Sequence, residues 1–160
     1  MEEAIRAALL ASSGVTALVP AARINWGEHP QGTGTPYITM MTVSDAEGLT
    51  MQGPDGLSQG RIQVDCYSPT YAQTKQVSRA VRAVLHGYRD ARPWFLAGGK
   101  WRKSGAWDDT QDWDGDASLI SGSVVRLVQH VGTRDSREGG TNEAERLFRC
   151  SLDFTTAWRN

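Results

Sequence analysis

A chain of 160 residues, 39% hydrophobic and 22% charged, is long enough for one domain with a sizeable core, and this excludes a mainly disordered chain. Its formal net charge of −1 argues against a protein whose main work is gripping nucleic acid, because phosphate binding needs a basic excess. Two cysteines, Cys66 and Cys150, are too few for a secreted disulfide scaffold of this size, so both are expected to be reduced and buried.

The opening stretch MEEAIRAALLASSG begins acidic and its apolar run is short, so it does not read as a signal peptide. No later stretch is long enough to span a membrane, and folding in a cytoplasm is expected. Residues 2–12 predict a helix, with Ile5, Ala8 and Leu9 on one face and Gly14 suited to its C-terminal cap. Val15, Leu18 and Val19 fit one further turn, ended by Pro20. ARINWGEHPQGTGTP reads as a short extended piece followed by a loop.

PYITMMTVSD, from Pro36, predicts a strand. Tyr37, Met41 and Val43 lie on one face, Ile38 and Met40 on the other, which predicts a central strand covered on both sides. MQGPDGLSQG is turn chemistry, with Pro54, Asp55 and Gly56 expected to close a turn between antiparallel strands. Next, Ile62, Val64 and Cys66 alternate with Arg61, Gln63 and Asp65, as in a strand with one buried face. Thr70 and Gln73 fit a capping box. The helix it opens carries an apolar stripe of Val77, Ala80, Val81, Val84 and Leu85, and Gly87 ends it. Lys75, Arg79 and Arg82 lie off the stripe and are expected in solvent. This helix is expected to fold over the sheet face bearing Ile62 and Val64.

Residues 88–118 differ in character. Four of the six tryptophans fall there, among glycines and aspartates, which marks an inserted loop or hairpin with short strands around Trp94–Leu96 and Lys100–Arg102. GSVVRLVQHVGTRDS and ERLFRCSLDFTTAWR then predict a C-terminal pair of long strands joined by the polar loop REGGTNEA. The fold class is therefore α+β: a mainly antiparallel sheet, an N-terminal helix, one long helix packed on the sheet and a C-terminal β-hairpin.

Chemistry is sparse. His29, His86 and His130 show no metal-ligand spacing. AGGKWRKS lacks both the earlier glycine and the Ser or Thr of a phosphate loop. Asp112, Asp114 and Asp116 alternate like the start of a calcium loop, but Gly115 comes one place early and Ser123 stands where the closing Glu belongs. No catalytic residue, cofactor or metal is expected. The candidate contact residues are Trp94, Trp101, Arg102, Trp107 and Trp113, because Trp and Arg are enriched as interface anchors. A Trp-based module for nucleic acid or carbohydrate is the alternative, and a metal-dependent enzyme at the aspartates is the third reading.

Taken together, GVTALVPAARI, PQGTGTPYITM, GLSQGRIQVDCYSPTYAQTKQVSRAVRAVL and LDFTTAWR resemble the tail-completion, or tail-to-head-joining, family of tailed bacteriophages and gene transfer agents. The resemblance covers most of residues 1–87 and 119–160, and residues 88–118 depart from it. It implies one tail-terminator-like domain that assembles as a homo-oligomeric ring, usually of six. The ring caps the tail-tube protein, ends its polymerisation and docks on the head–tail connector. The resemblance further implies a place at the head–tail junction of a virion, assembly in a bacterial host, DNA passing through the lumen without specific binding, and no membrane partner.

Overall fold

Helix α1 spans Glu2–Ala11, and Ile5 and Leu9, one turn apart, are both fully buried. In this computed structural model the described residues are 1–30, 32, 34–89, 94–97, 100–103, 124–138 and 146–159. Ser12 ends α1 in an extended conformation, and a four-residue helix, α2 (Ser13–Thr16), follows at once. Gly14 therefore lies inside α2 instead of capping α1. Val15 and Val19 are buried beside Ile5 and Leu9. A 3-10 turn at Ala21–Arg23 leads into strand β1 (Ile24–Trp26). Arg6 Nε donates to Ile24 O (2.9 Å) and Trp26 Nε1 to Glu2 O (3.2 Å), which fixes α1 across β1.

The remaining elements are β2 (Tyr37–Thr50), β3 (Gly53–Ser68), α3 (Tyr71–Leu85), β4 (Trp94–Ala97), β5 (Lys100–Lys103), β6 (Val124–Glu138) and β7 (Leu147–Arg159). Five strands form one sheet in the order β1-β2-β3-β7-β6. β1 runs parallel to β2, and every other neighbouring pair is antiparallel. β4 and β5 form a separate antiparallel hairpin. The fold is α+β, as its alternating patterns predict.

One sheet face is apolar. Ile38, Met40, Ile62, Val64, Cys66, Cys150, Leu152 and Phe154 are all buried on it, and α3 lies over it with Val77, Val81 and Leu85. Thr70 Oγ1 accepts from Gln73 N (3.3 Å), which satisfies one free donor at the start of α3. Gly87, at φ 80°, turns the chain out of α3, and its N–H donates to Val128 O (2.8 Å).

Three further expectations are corrected. β2 is covered on one face only: Ile38 and Met40 are buried, whereas Met41 and Val43 are 47% and 51% exposed. α1 and α3 pack on the side of the sheet that carries Ile38 and Met40. The β2–β3 turn is Met51-Gln52, because Thr50 already pairs with Gly53; Pro54 pairs with Leu49 inside the ladder. Lys75 is not free in solvent. Its Nζ lies 2.6 Å from Asp135 Oδ2 on β6.

Candidate assembly surfaces

The face of the sheet opposite α3 is polar, and its side chains are tied together. Cross-strand partners share a face, so Tyr37, Tyr67 and Arg149 stand in one row, with Gln63 and Asp153, and Asp65 and Ser151, in the rows beside it. Arg149 is the hub. Its Nη2 donates to Asp65 Oδ2 (2.8 Å), its Nη1 to Glu138, and its guanidinium lies over the Tyr67 ring at 5.7 Å. Gln63 Nε2 also donates to both Asp65 oxygens (3.0 and 2.9 Å). Arg134 bridges Gln63 Oε1 (3.2 Å) and Asp153 Oδ1 (3.3 Å). Asp65 and Asp153 are buried at 5% exposure each, which acids tolerate only when paired.

Burial works against the Arg149 charge, but its hydrogen bonds to Asp65 and Glu138 outweigh that and raise its pKa. Burial also pushes the Tyr67 phenol up to about 12. Beside it the rings of Tyr67 and Tyr37 stack at 4.6 Å, and those of Tyr37 and His29 at 3.8 Å. The result is a column of planar groups, His29–Tyr37–Tyr67–Arg149, running across three strands. Within it Arg149 carries the charge and the Tyr37 and Tyr67 phenols stay neutral at neutral pH, and none of the four is a nucleophile paired with a base.

Sequence reasoning left these residues as the solvent side of each strand. A signal was present: Asp65 and Arg149, of opposite charge, both stand at the polar positions of alternating strands, one row apart once the strands pair. Strand pairing was needed to see it, because the two positions are 84 residues apart.

The second surface is the far half of β2. From Met41 to Thr50 almost every residue is exposed, and Leu49 (80%) and the turn residue Met51 (105%) stand clear of the core. Natural monomers rarely leave such residues clustered without use.

The predicted contact residues divide. Trp94 lies in β4, opposite Lys103, and Trp101 and Arg102 lie in β5, opposite Leu96 and Phe95. The hairpin forms where composition placed it. Trp107 and Trp113 fall outside the described residues, as do Asp112, Asp114 and Asp116. Among the described residues no group of three His, Cys, Asp or Glu side chains is placed to hold a metal ion, and no helix is long and apolar enough to cross a membrane.

A search of curated proteins finds no match. A solved structure titled "Virion of native gene transfer agent (GTA) particle" contains a chain of the same fold: TM-score 0.60 at 13% identity, over 98% of this chain and 92% of that one. Residues 3–159 match the profile of the family described as "Tail completion protein gp17". This span takes in α1, the whole five-stranded sheet and α3, so the chain belongs to the tail completion protein gp17 family, structural components of phage-type tails.

Proposed function

We propose that this protein is a tail terminator: a homo-oligomeric ring, with six copies as the expected number, that caps the last disc of tail-tube protein, ends its polymerisation and docks on the head–tail connector. The family match over residues 3–159 carries this reading. The likeness of the fold to a chain of a gene transfer agent virion supports it. So does the character of the surface: a rigid, ion-paired sheet face and exposed apolar residues on β2 suit a building block whose product is shape. DNA passes the lumen without being held, in keeping with the net charge of −1. The site of action is the head–tail junction, and assembly takes place in the host bacterial cytoplasm.

The test is loss of the protein from producing cells. The expected particles are heads without tails and tubes of uncontrolled length; added purified protein should cap such tubes and restore joining. Normal joined particles in its absence would overturn the reading.

A further inference from the structure

Both long edges of the five-stranded sheet are bare over part of their length among the described residues. On one side β1 pairs only with Ile38–Met40 of β2. From Met41 to Thr50, β2 has β3 on one flank and no strand on the other. On the opposite side β6 is the terminal strand. Its edge is closed at Val128 by Gly87 and Tyr88, and at His130 by His86 Nδ1. From Val131 to Glu138 no described residue covers it. Such rows of open N–H and C=O groups are templates for another strand.

The two edges differ in charge. Met41–Thr50 carries Asp45 and Glu47, both exposed, and no basic residue. Val131–Glu138 carries Arg134 and Arg137. Its two acids are engaged, Asp135 by Lys75 and Glu138 by Arg149; Arg134 also reaches Asp153 but its side chain stays 66% exposed, and Arg137, over the Phe148 ring, is exposed too. Two β2 edges brought together would set acids against acids. A β2 edge against a β6 edge sets acids against arginines, and an antiparallel middle-to-middle alignment brings exposed Val131 level with exposed Leu49.

We propose that Met41–Thr50 of one copy adds as a strand to Val131–Glu138 of a second copy, so that the sheet continues from subunit to subunit. This rests on the ring reading above. The direction fits: three successive antiparallel pairings make β6 run opposite to β2, so a neighbour in the same orientation presents an antiparallel edge. Joining unlike edges is a head-to-tail contact, the type that closes into rings.

The register also allows closure. Arg134 is level with Ser151, Asp65 and Thr39 across the sheet, so the middle of the bare β6 edge lies about six residues below the middle of the bare β2 edge. That is a step of about 20 Å across four strands of about 5 Å each, a strand tilt of about 45°, at the upper end of closed barrels.

The experiment uses the full chain in two charge-swapped forms: Asp45→Arg/Glu47→Arg, and Ser136→Glu/Arg137→Glu. All four positions are exposed, and circular dichroism checks the fold. Sedimentation of each variant alone should show self-association weakened about tenfold or more, and an equal mixture should recover it, because each altered edge meets its complement. Hydrogen exchange of the wild type should slow at both Met41–Thr50 and Val131–Glu138 on assembly. Variants that assemble like wild type, or edges that exchange as fast in the assembly as in the dilute subunit, overturn the edge pairing while leaving the ring reading intact. A wild-type chain that stays monomeric at every concentration and on tube ends overturns the ring reading, and the edge pairing with it.

Discussion

Gly60 lies beneath the indole of Trp158: a β-carbon added to it would stand 2.8 Å from Trp158 Cη2 and 2.5 Å from the backbone oxygen of Ser44. The contact closes the end of the sheet where β2 bulges between Thr42 and Ser44. Gly60→Ala is expected to cost about 1–3 kcal/mol by overpacking, because a backbone carbonyl cannot swing aside like a side-chain tip. Chemical denaturation reads this directly. A variant as stable as wild type would mean that Trp158 and β2 move apart freely.

Arg149 holds Asp65 and Glu138 on the polar face, and Asp65 is buried. Arg149→Ala leaves Asp65 with the Gln63 amide as its remaining described side-chain partner. The expected loss is about 2–4 kcal/mol, largely the cost of a stranded buried charge. Arg149→Ala combined with Asp65→Asn should recover part of it. A double variant no better than the single would show that the charge pairing is not what holds this face.

The buried thiols face each other. Cys66 and Cys150 are cross-strand partners under α3 and both are free. Burial pushes both thiols up from their ordinary pKa, so little thiolate forms at neutral pH. Neither should react with a thiol reagent on the timescale of minutes until denaturant is added. Rapid labelling of the native protein at pH 7 would contradict the packing.

Lys75 and Asp135 tie α3 to β6. Their hydrogen bond raises the Lys75 pKa and lowers that of Asp135. A lowered carboxyl pKa means that the unfolded chain binds the proton more tightly. Its stabilisation is present above the ordinary Asp range and is lost as pH falls through the folded value. The raised lysine pKa gives stability that is present below its ordinary value and lost as pH rises through the folded one. Both groups are partly exposed, so the pair contributes only about 0.5–1 kcal/mol. Asp135→Asn should lower stability by that amount at pH 7 and flatten the acid limb of the stability curve between wild type and variant. Parallel acid limbs would remove the pair from the acid response.

The insertion is expected to contact a neighbouring chain. Tyr88 O accepts from Val128 N and is kept; a short Gly-Ser linker replaces residues 90–117. The shortened subunit should fold, and assemble or dock poorly. Unfolding would place the tryptophans in the subunit's own core. Normal joined particles would make the insertion dispensable.

Periodicity carried most of the fold. The apolar alternation of Ile62, Val64 and Cys66 and of Cys150, Leu152 and Phe154 located the buried face, and the stripe of α3 located its cover. What local pattern could not carry was pairing. Tyr37, Met41 and Val43 looked like a second buried face because nothing in a single strand says whether a layer lies above it. Asp65 and Arg149 looked like solvent residues for the same reason: each meets its charge partner only after two distant strands align. The Trp94–Ala97 and Lys100–Lys103 strands were legible because a hairpin is local.

β7 sits in the middle of the sheet, between β3 and β6, yet it is the latest of the strands along the chain. Thr156 and Gly60, for instance, join across 96 positions. During synthesis the β2–β3 hairpin therefore has one flank open while the residues from Ser68 to Leu147 are made. Folding ends with an insertion in the centre, a slow class of event. Until that happens β6 has no neighbour to hold it straight, so a nascent chain has the β2 edge without its β6 counterpart. Under the proposed edge pairing, only a chain read through to β7 carries both the β2 and the β6 edge in finished form.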